Sequence, residues 1–287
     1  MKKTLVLMLS LTISSSLLAG CGSQAASSTD CVAETTVETE SSVVESAETV
    51  ETQEVSSTDE SEYNAVTIDN YNITTEYTQT PTNVVTLTLN SAEIISALGA
   101  GDSVVAISKN VNRLEDVLLE YQDGLKNAEF PGIINKGVPT LEGMLGLSPD
   151  LVVANSYYFN VPTFGTVEDY KGNDVNLYIT EGTYVAGCTI DIRNLGSIFG
   201  KEERAEKLIT DMQTRIEAVS EKVTDREKVR VMAFDSMIDE LPGIAGGTGL
   251  EQNLIELAGG ENIFADVEKQ FGSVSFEEII SRDPEVI

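Results

Sequence analysis

Between about residue 200 and residue 224, apolar side chains return every three or four positions: Ala205, Leu208, Ile209, Met212, Ile216, Val219 and Val223. That spacing places them on one stripe of a helix. Glu206, Lys207, Asp211, Arg215, Glu217, Glu221 and Lys222 take the opposite, water-facing side. No Gly or Pro interrupts the run, and about 25 residues at 1.5 Å each make a rod of roughly 37 Å, the width of a small domain. On both sides the pattern changes to short β-branched runs separated by Gly, Asn and Pro. The rod therefore reads as a strut joining two α/β lobes rather than as one crossover helix within a single domain.

Upstream of the strut, apolar strands alternate with helical segments. Asn83 to Leu89 predicts a strand. Ala92, Ile95 and Leu98 then fall on one helical face, with Ser91 as N-cap and Gly99 and Gly101 ending the helix. Ser103 to Ile107 predicts a second strand, and Val138 to Leu147 a helix capped near Thr140 and closed by Ser148-Pro149-Asp150. Leu151 to Ala154 and Asn176 to Ile179 predict two more strands. Such alternation predicts a parallel sheet covered on both faces, with ligands bound outside the carboxyl ends of its strands. Those ends are Asn90, 108–110, 155–159 and 180–184. Further upstream, Val66, Ile68, Tyr71 and Ile73 alternate within 65–77, the pattern of an edge hairpin.

Composition narrows the partners. The 287 residues, enough for two domains, carry 18 Lys plus Arg against 47 Asp plus Glu, a formal net charge of −29. So negative a surface excludes nucleic acid and anionic lipid as partners. The chain has no His and no Trp, which removes Ser-His-Asp and Cys-His catalysis and His-ligated zinc and haem sites. A zinc- or manganese-specific binding role is disfavoured for the same reason.

The N-terminus has its own character. Lys2 and Lys3 precede an apolar run, Leu5 to Ala19, too short for a membrane span. The run ends in Leu18-Ala19-Gly20-Cys21, which resembles the lipobox of bacterial lipoproteins. That resemblance implies cleavage before Cys21, diacylglycerol on its thiol, and stable membrane anchoring by two or more acyl chains. Residues 1–20 are then a signal peptide. Residues 21–82, rich in Ser, Thr and Glu and free of Lys and Arg, are expected to form a disordered tether, about 60 residues with an end-to-end distance of roughly 45 Å. Cys31 in the tether and Cys188, placed in a loop, are expected to be unpaired.

Three stretches carry a family resemblance: VVTLTLNSAEIISALGAGDSVVAIS, GVPTLEGMLGLSPDLVVANS, and a second-lobe series of KVRVMAFD, LEQNLIELAGGENIFAD and SFEEIISRDPEVI. Together, over about 84–287, they resemble the substrate-binding proteins of iron-siderophore and vitamin B12 ABC importers. The resemblance implies two Rossmann-like lobes with mainly parallel sheets joined by one long rigid helix. The lobes fall at 83–193 and 227–287, with the linking helix in 194–226. Family members continue past the strand that begins near Ile287, so an incomplete second lobe is expected.

The same resemblance implies a monomeric, extracytoplasmic, non-enzymatic protein without a cofactor. It would capture a ferric siderophore, or alternatively a corrinoid, and deliver it to a permease and its ATPase subunits. A Glu on each lobe would dock to Arg pockets of the permease. Glu142 matches on the first lobe and Glu256 on the second, with Glu251 its competitor. For the ligand, the strand-end positions offer Asn90, Asn155, Tyr157, Tyr158, Phe159, Phe164 and Tyr184, with Lys109, Arg113 and Arg193 as nearby cations. Aromatic faces with a few cations suit a large, partly apolar, anionic chelate. The Gly246-Gly247-Thr248-Gly249 run lacks the Lys-Ser/Thr of a phosphate loop and reads as a tight entry into a helix. Two other classes stay open: a lipid-anchored hydrolase using paired carboxylates, and a non-transport surface lipoprotein.

Overall fold

A computed structural model describes residues 63–108, 113–131, 134–135, 138–182 and 184–287. All lie within one compact unit, 59–287. Cys21, Cys31, Lys109, the signal segment and most of the expected tether lie outside the described residues.

The chain first forms a hairpin, β1 (Val66–Asn70) and β2 (Ile73–Tyr77), turning on Tyr71 and Asn72, both at positive φ. Next come β3 (Val84–Thr86), α1 (Leu89–Ala97), β4 (Val104–Ile107), the short α2 (Leu119–Gln122) and a two-residue ribbon, β5 (Ile134–Asn135) with β6 (Val138–Pro139). The lobe closes with α3 (Leu141–Leu145), β7 (Leu151–Asn155), α4 (Val167–Lys171), β8 (Asn176–Thr180) and α5 (Val185–Ile198).

Strands β4-β3-β7-β8 form one all-parallel sheet. Alternate residues feed opposite cores. Val84, Ile107, Val153 and Tyr178 pack with Ile95, Ile192, Leu195 and Ile209 on one face. Val85, Ala106, Val152 and Leu177 pack with Met144, Phe164 and Tyr170 on the other. A sheet buried on both faces explains why its strands read as unbroken apolar runs.

Local expectations shift in detail. The first strand is only Val84–Thr86, and the N-cap of α1 is Thr88, not Ser91. Ser91 is buried, and its hydroxyl meets that of Thr88 at 2.7 Å. Asn90 consequently sits in the first turn of α1 rather than at a strand end. Ala92, Ile95 and Leu98 are buried as the spacing predicts, and Gly99 ends the helix at φ +80°. Thr140 caps α3, its hydroxyl accepting from Gly143 N at 3.1 Å. Cys188 lies within α5, not in a loop, half-buried and free. The hairpin is part of the lobe, since Ile68 and Tyr77 are buried in the first core.

After a turn at Gly200 (φ +60°) the chain enters α6 (Glu202–Val223). Its 22 residues span about 33 Å. The apolar stripe divides between the lobes. Ala205 and Ile209 are buried in the first lobe's core, with Leu208 and Met212 against it. Further along, the Ser220 hydroxyl donates to Leu257 O at 3.0 Å, and Val223 packs on Gly259.

The second lobe comprises β9 (Val229–Val231), β10 (Phe234–Ile238), β11 (Leu241–Ala245), α7 (Leu250–Leu257), β12 (Gly260–Asn262), β13 (Phe271–Ser273) and α8 (Phe276–Arg282). Strands β9 and β12 pair in parallel, but β10-β11-β13 is antiparallel, so this lobe is mixed rather than mainly parallel. The Ala258-Gly259-Gly260-Glu261-Asn262 motif has a physical basis. Gly259 takes φ +77°, and buried Asn262 bonds Ala245 O, Gly246 O and Phe264 N. One side chain thus stitches the end of β11 to the segment after β12.

Candidate functional site

The carboxyl ends of the sheet carry most of the polar and aromatic candidates. Asn155 ends β7 and accepts from Tyr157 N at 3.2 Å, starting the 3₁₀ turn Ser156–Asn160. Four aromatics follow from that turn, with different fates. Tyr158 and Phe164 are buried against each other and Tyr170, and so are core residues. Phe159 is half-buried and stacks face to face on Tyr71, ring centres 5.3 Å apart. Tyr157 is 67% exposed. Tyr184, half exposed, stands at the N-cap of α5.

The hairpin turn comes to the same place. Asn70 acts as a one-residue strand partner for the edge of β8: its Nδ2 donates to Ile179 O, and its Oδ1 accepts from Ile179 N, each at 2.7 Å. Glu181 Oε1 accepts from Tyr71 N at 3.4 Å. Between hairpin and strand ends lies an open depression of about 720 Å³. Its described walls are Asp69, Asn70, Tyr71, Asn72, Ile73, Thr74, Ser156, Thr180, Glu181 and Tyr184. The next residue, Val185, donates its N–H to Asn253 Oδ1 of α7 at 3.2 Å. The depression therefore adjoins the junction between the lobes.

Behind it sits Asp191, which is 1% exposed. Its carboxylate accepts from Tyr178 Oη at 2.8 Å and from Glu181 N at 2.9 and 3.0 Å. Burial pushes this acid up to about 6, against the pull of those donors. Desolvation, then the neighbouring Asp191, push the Tyr178 phenol far above its ordinary range. The turn bearing Glu181 and Tyr184 is thus held from within by one buried carboxylate. Sequence reasoning missed Asp191 because an Asp within an apolar helical stretch gives no local sign of what it bonds. The hairpin contribution was missed because Asn70 and Ile179 are 109 residues apart.

Of the cations expected near the ligand, Lys109 lies outside the described residues, and the other two are not among the described walls of the depression. Arg113 is exposed and paired with Asp116 at 3.0 Å. Arg193 leaves α5 toward α6 and pairs with Glu206 at 2.6 Å. Asn90 is exposed on α1 and does not line the depression. Among the described residues, no three His, Cys, Asp or Glu side chains cluster to hold a metal ion, and no helix is long and apolar enough to cross a membrane.

The docking candidates occupy different positions. Glu142 is exposed, second in α3, whose Leu141 N donates to Thr163 O at 2.8 Å. It therefore stands on the rim of the strand-end loops, not remote from them. Glu256 is exposed near the far end of α7 and accepts from Gln252 Nε2 at 2.7 Å. Glu251 is second in α7, the place equivalent to Glu142, and is partly buried. At the entrance to α7, the N–H groups of Gly246 and Gly247 donate to Gln270 O and Val267 O. Those donors are spent on the lobe's own backbone, as a tight loop entering a helix requires.

Residues 84–287 match the periplasmic binding protein family. The vitamin B12-binding protein of Vibrio campbellii is 28% identical over 205 residues, 71% of this chain and 69% of that protein. A periplasmic binding protein from Veillonella parvula superposes with a TM-score of 0.65 at 21% identity, over 77% of this chain and 75% of that one. An Fe³⁺-hydroxamate transport protein from Saccharomonospora viridis gives 0.62 at 22% identity, over 77% and 78%. With two α/β lobes bridged by one long helix and a match spanning most of its length, the chain belongs to the periplasmic binding protein family.

Proposed function

We propose that this chain is the lipid-anchored binding protein of an ABC importer, capturing a bulky chelated metal, a ferric siderophore or a corrinoid, between its lobes. The observation that carries the proposal is the depression at the carboxyl ends of β7 and β8. There Tyr71, Tyr184, Ser156 and Thr180 meet beside the Val185–Asn253 link between lobes. Aromatic faces with a few hydroxyl and amide groups suit a large organic shell around a metal better than a small polar solute. Similarity to a vitamin B12-binding protein and to an Fe³⁺-hydroxamate transport protein supports the corrinoid and the iron chelate alike. Of the cations that would pair with an anionic iron chelate, Arg113 and Arg193 are engaged elsewhere, and Lys109 lies outside the described residues.

In this reading Cys21 carries the lipid. Glu142 and a second-lobe Glu, either Glu256 or Glu251, dock to the permease. Equilibrium dialysis against cyanocobalamin and ferric trihydroxamates tests capture, and retention of neither sinks it. Metabolic labelling with a radioactive fatty acid tests the anchor, and label persisting in Cys21→Ala rules it out.

A further inference from the structure

We infer that Tyr71, at the tip of the β1–β2 hairpin, is a ligand-contacting residue that sets affinity, and that Asn70 is the positioning residue that fixes it there. The inference rests on the reading of the depression as the ligand site and gives the hairpin its part in it. Strands β1 and β2 pair with each other and, among the described strands, not with β8. A two-stranded hairpin is marginal alone, so the place of its tip depends on side chains. Its body is held by Ile68 and Tyr77 in one core and by Ile73 in the other. At the tip the amide of Asn70, 4% exposed, gives Ile179 the donor and the acceptor that a neighbouring strand would give.

Tyr71 is a poor choice for the turn itself. The pairing of Asn70 with Ile73 leaves a two-residue turn in which Tyr71 takes φ +49° and Asn72 φ +60°. Such turns favour Gly, Asn or Asp, and a bulky side chain is strained at positive φ. Asn72 follows that preference and Tyr71 does not. What the tyrosine brings is its ring. One face stacks on Phe159, ring centres 5.3 Å apart and planes 5° from parallel. Phe159 in turn meets buried Phe164 edge-on at 6.0 Å, which ties the stack to the core. Tyr71 is among the walls of the depression and Phe159 is not, and Tyr71 keeps 44% of its surface exposed. The hairpin thus presents an aromatic ring already held in place, so little side-chain freedom is lost when an organic shell packs on it.

The experiment is equilibrium dialysis of the full chain against cyanocobalamin and a ferric trihydroxamate, with thermal melts as the control for folding. Tyr71→Asn suits the turn and removes the ring. It should melt near wild type, relief of strain offsetting the lost stack, while the probe that wild type retains binds about tenfold more weakly. Should Tyr71→Asn fold poorly, Tyr71→Leu keeps apolar bulk on Phe159 without a ring and carries the same expectation. Tyr71→Phe, which keeps the ring, should bind like wild type; a loss as large as in Tyr71→Asn would overturn the ring contact. Asn70→Ala should also weaken binding, but combined with Tyr71→Asn it should add nothing, because a positioning residue acts only through what it positions. Asn70→Asp, which keeps the acceptor for Ile179 N, takes its place if Asn70→Ala does not fold. Full additivity would overturn the role of Asn70. Wild-type affinity for a bound probe in Tyr71→Asn or Tyr71→Leu overturns the inference and leaves the ligand-site reading standing. No binding of either probe by wild type overturns both.

Discussion

Replacing Asp191 by Asn should remove the pH dependence of a measurable part of the stability. In the fold the carboxyl is 1% exposed and sits at about 6, while its ordinary value is 3.8. Burial is the larger cause, and the donors Glu181 N and Tyr178 Oη only partly offset it. A raised folded-state value means that the fold prefers the protonated acid. The stabilisation is fully present below about pH 4 and lost as pH rises through about 6. A difference of about two pH units corresponds to about 3 kcal/mol.

Asparagine has nearly the same shape, still offers Oδ1 to Glu181 N, and does not ionise. Urea unfolding followed by far-ultraviolet circular dichroism, from about pH 4.5 to about 7.5, should show wild type losing about 2 kcal/mol more than Asp191→Asn over that window, the first ~1 kcal/mol having gone below pH 4.5. Self-repulsion of the acidic chain changes almost equally in both proteins, so the difference between them isolates this group. A pH-independent difference, or a wild type that gains on the variant as pH rises, would refute the reasoning. It would mean that the hydrogen bonds outweigh burial and hold the acid at or below its ordinary value.

Three further outcomes are expected. Gly196→Val should lower stability by about 2–3 kcal/mol in thermal melts, because a Cβ at Gly196 would stand 2.5 Å from that of Ala205 across the α5–α6 contact; an unchanged melting temperature would show that these helices can separate freely. Glu142→Ala should leave ligand affinity near wild type while uptake falls sharply, since a charge pair broken on one side typically costs about 2–5 kcal/mol; normal uptake with lost binding would reverse its assignment. Small-angle scattering should change little on ligand binding, because α6 packs on both lobes and resists hinge bending; a large compaction would contradict that.

Legibility in the sequence followed the range of the contacts involved. The stripe Ala205 to Val223 and the face of Ala92, Ile95 and Leu98 were readable because a helix repeats its own geometry within a few residues. The four parallel strands were readable because burial on both faces writes an unbroken apolar run. The second lobe's antiparallel β10-β11-β13 was not, since its three- and five-residue strands carry too little pattern to show pairing direction. Strand-end aromatics were located correctly along the chain, but sequence could not separate Tyr157, which meets water, from Tyr158 and Phe164, which fill the core. The cations illustrate the same limit. Arg113 and Arg193 lie near the expected loops in sequence, yet Asp116 and Glu206 claim them.

The docking carboxylates show where sequence matching and position in the fold diverge. Glu256 matches in sequence, lying just before the Ala-Gly-Gly turn, and it is exposed as docking requires. Yet Glu142 is the second residue of its helix, at the strand-end rim, and only Glu251 holds the corresponding place in α7. A pair of charges that reports lobe spacing must face the same partner surface, which favours equivalent places. Exposure favours Glu256 instead, since Glu251 is partly buried. Uptake by Glu142→Ala combined separately with Glu251→Ala and with Glu256→Ala decides between them. If docking uses both lobes, only the true partner should lower uptake well beyond Glu142→Ala alone, and its loss should flatten the salt dependence of docking. If neither second substitution adds to the first, the second lobe contributes no carboxylate from α7.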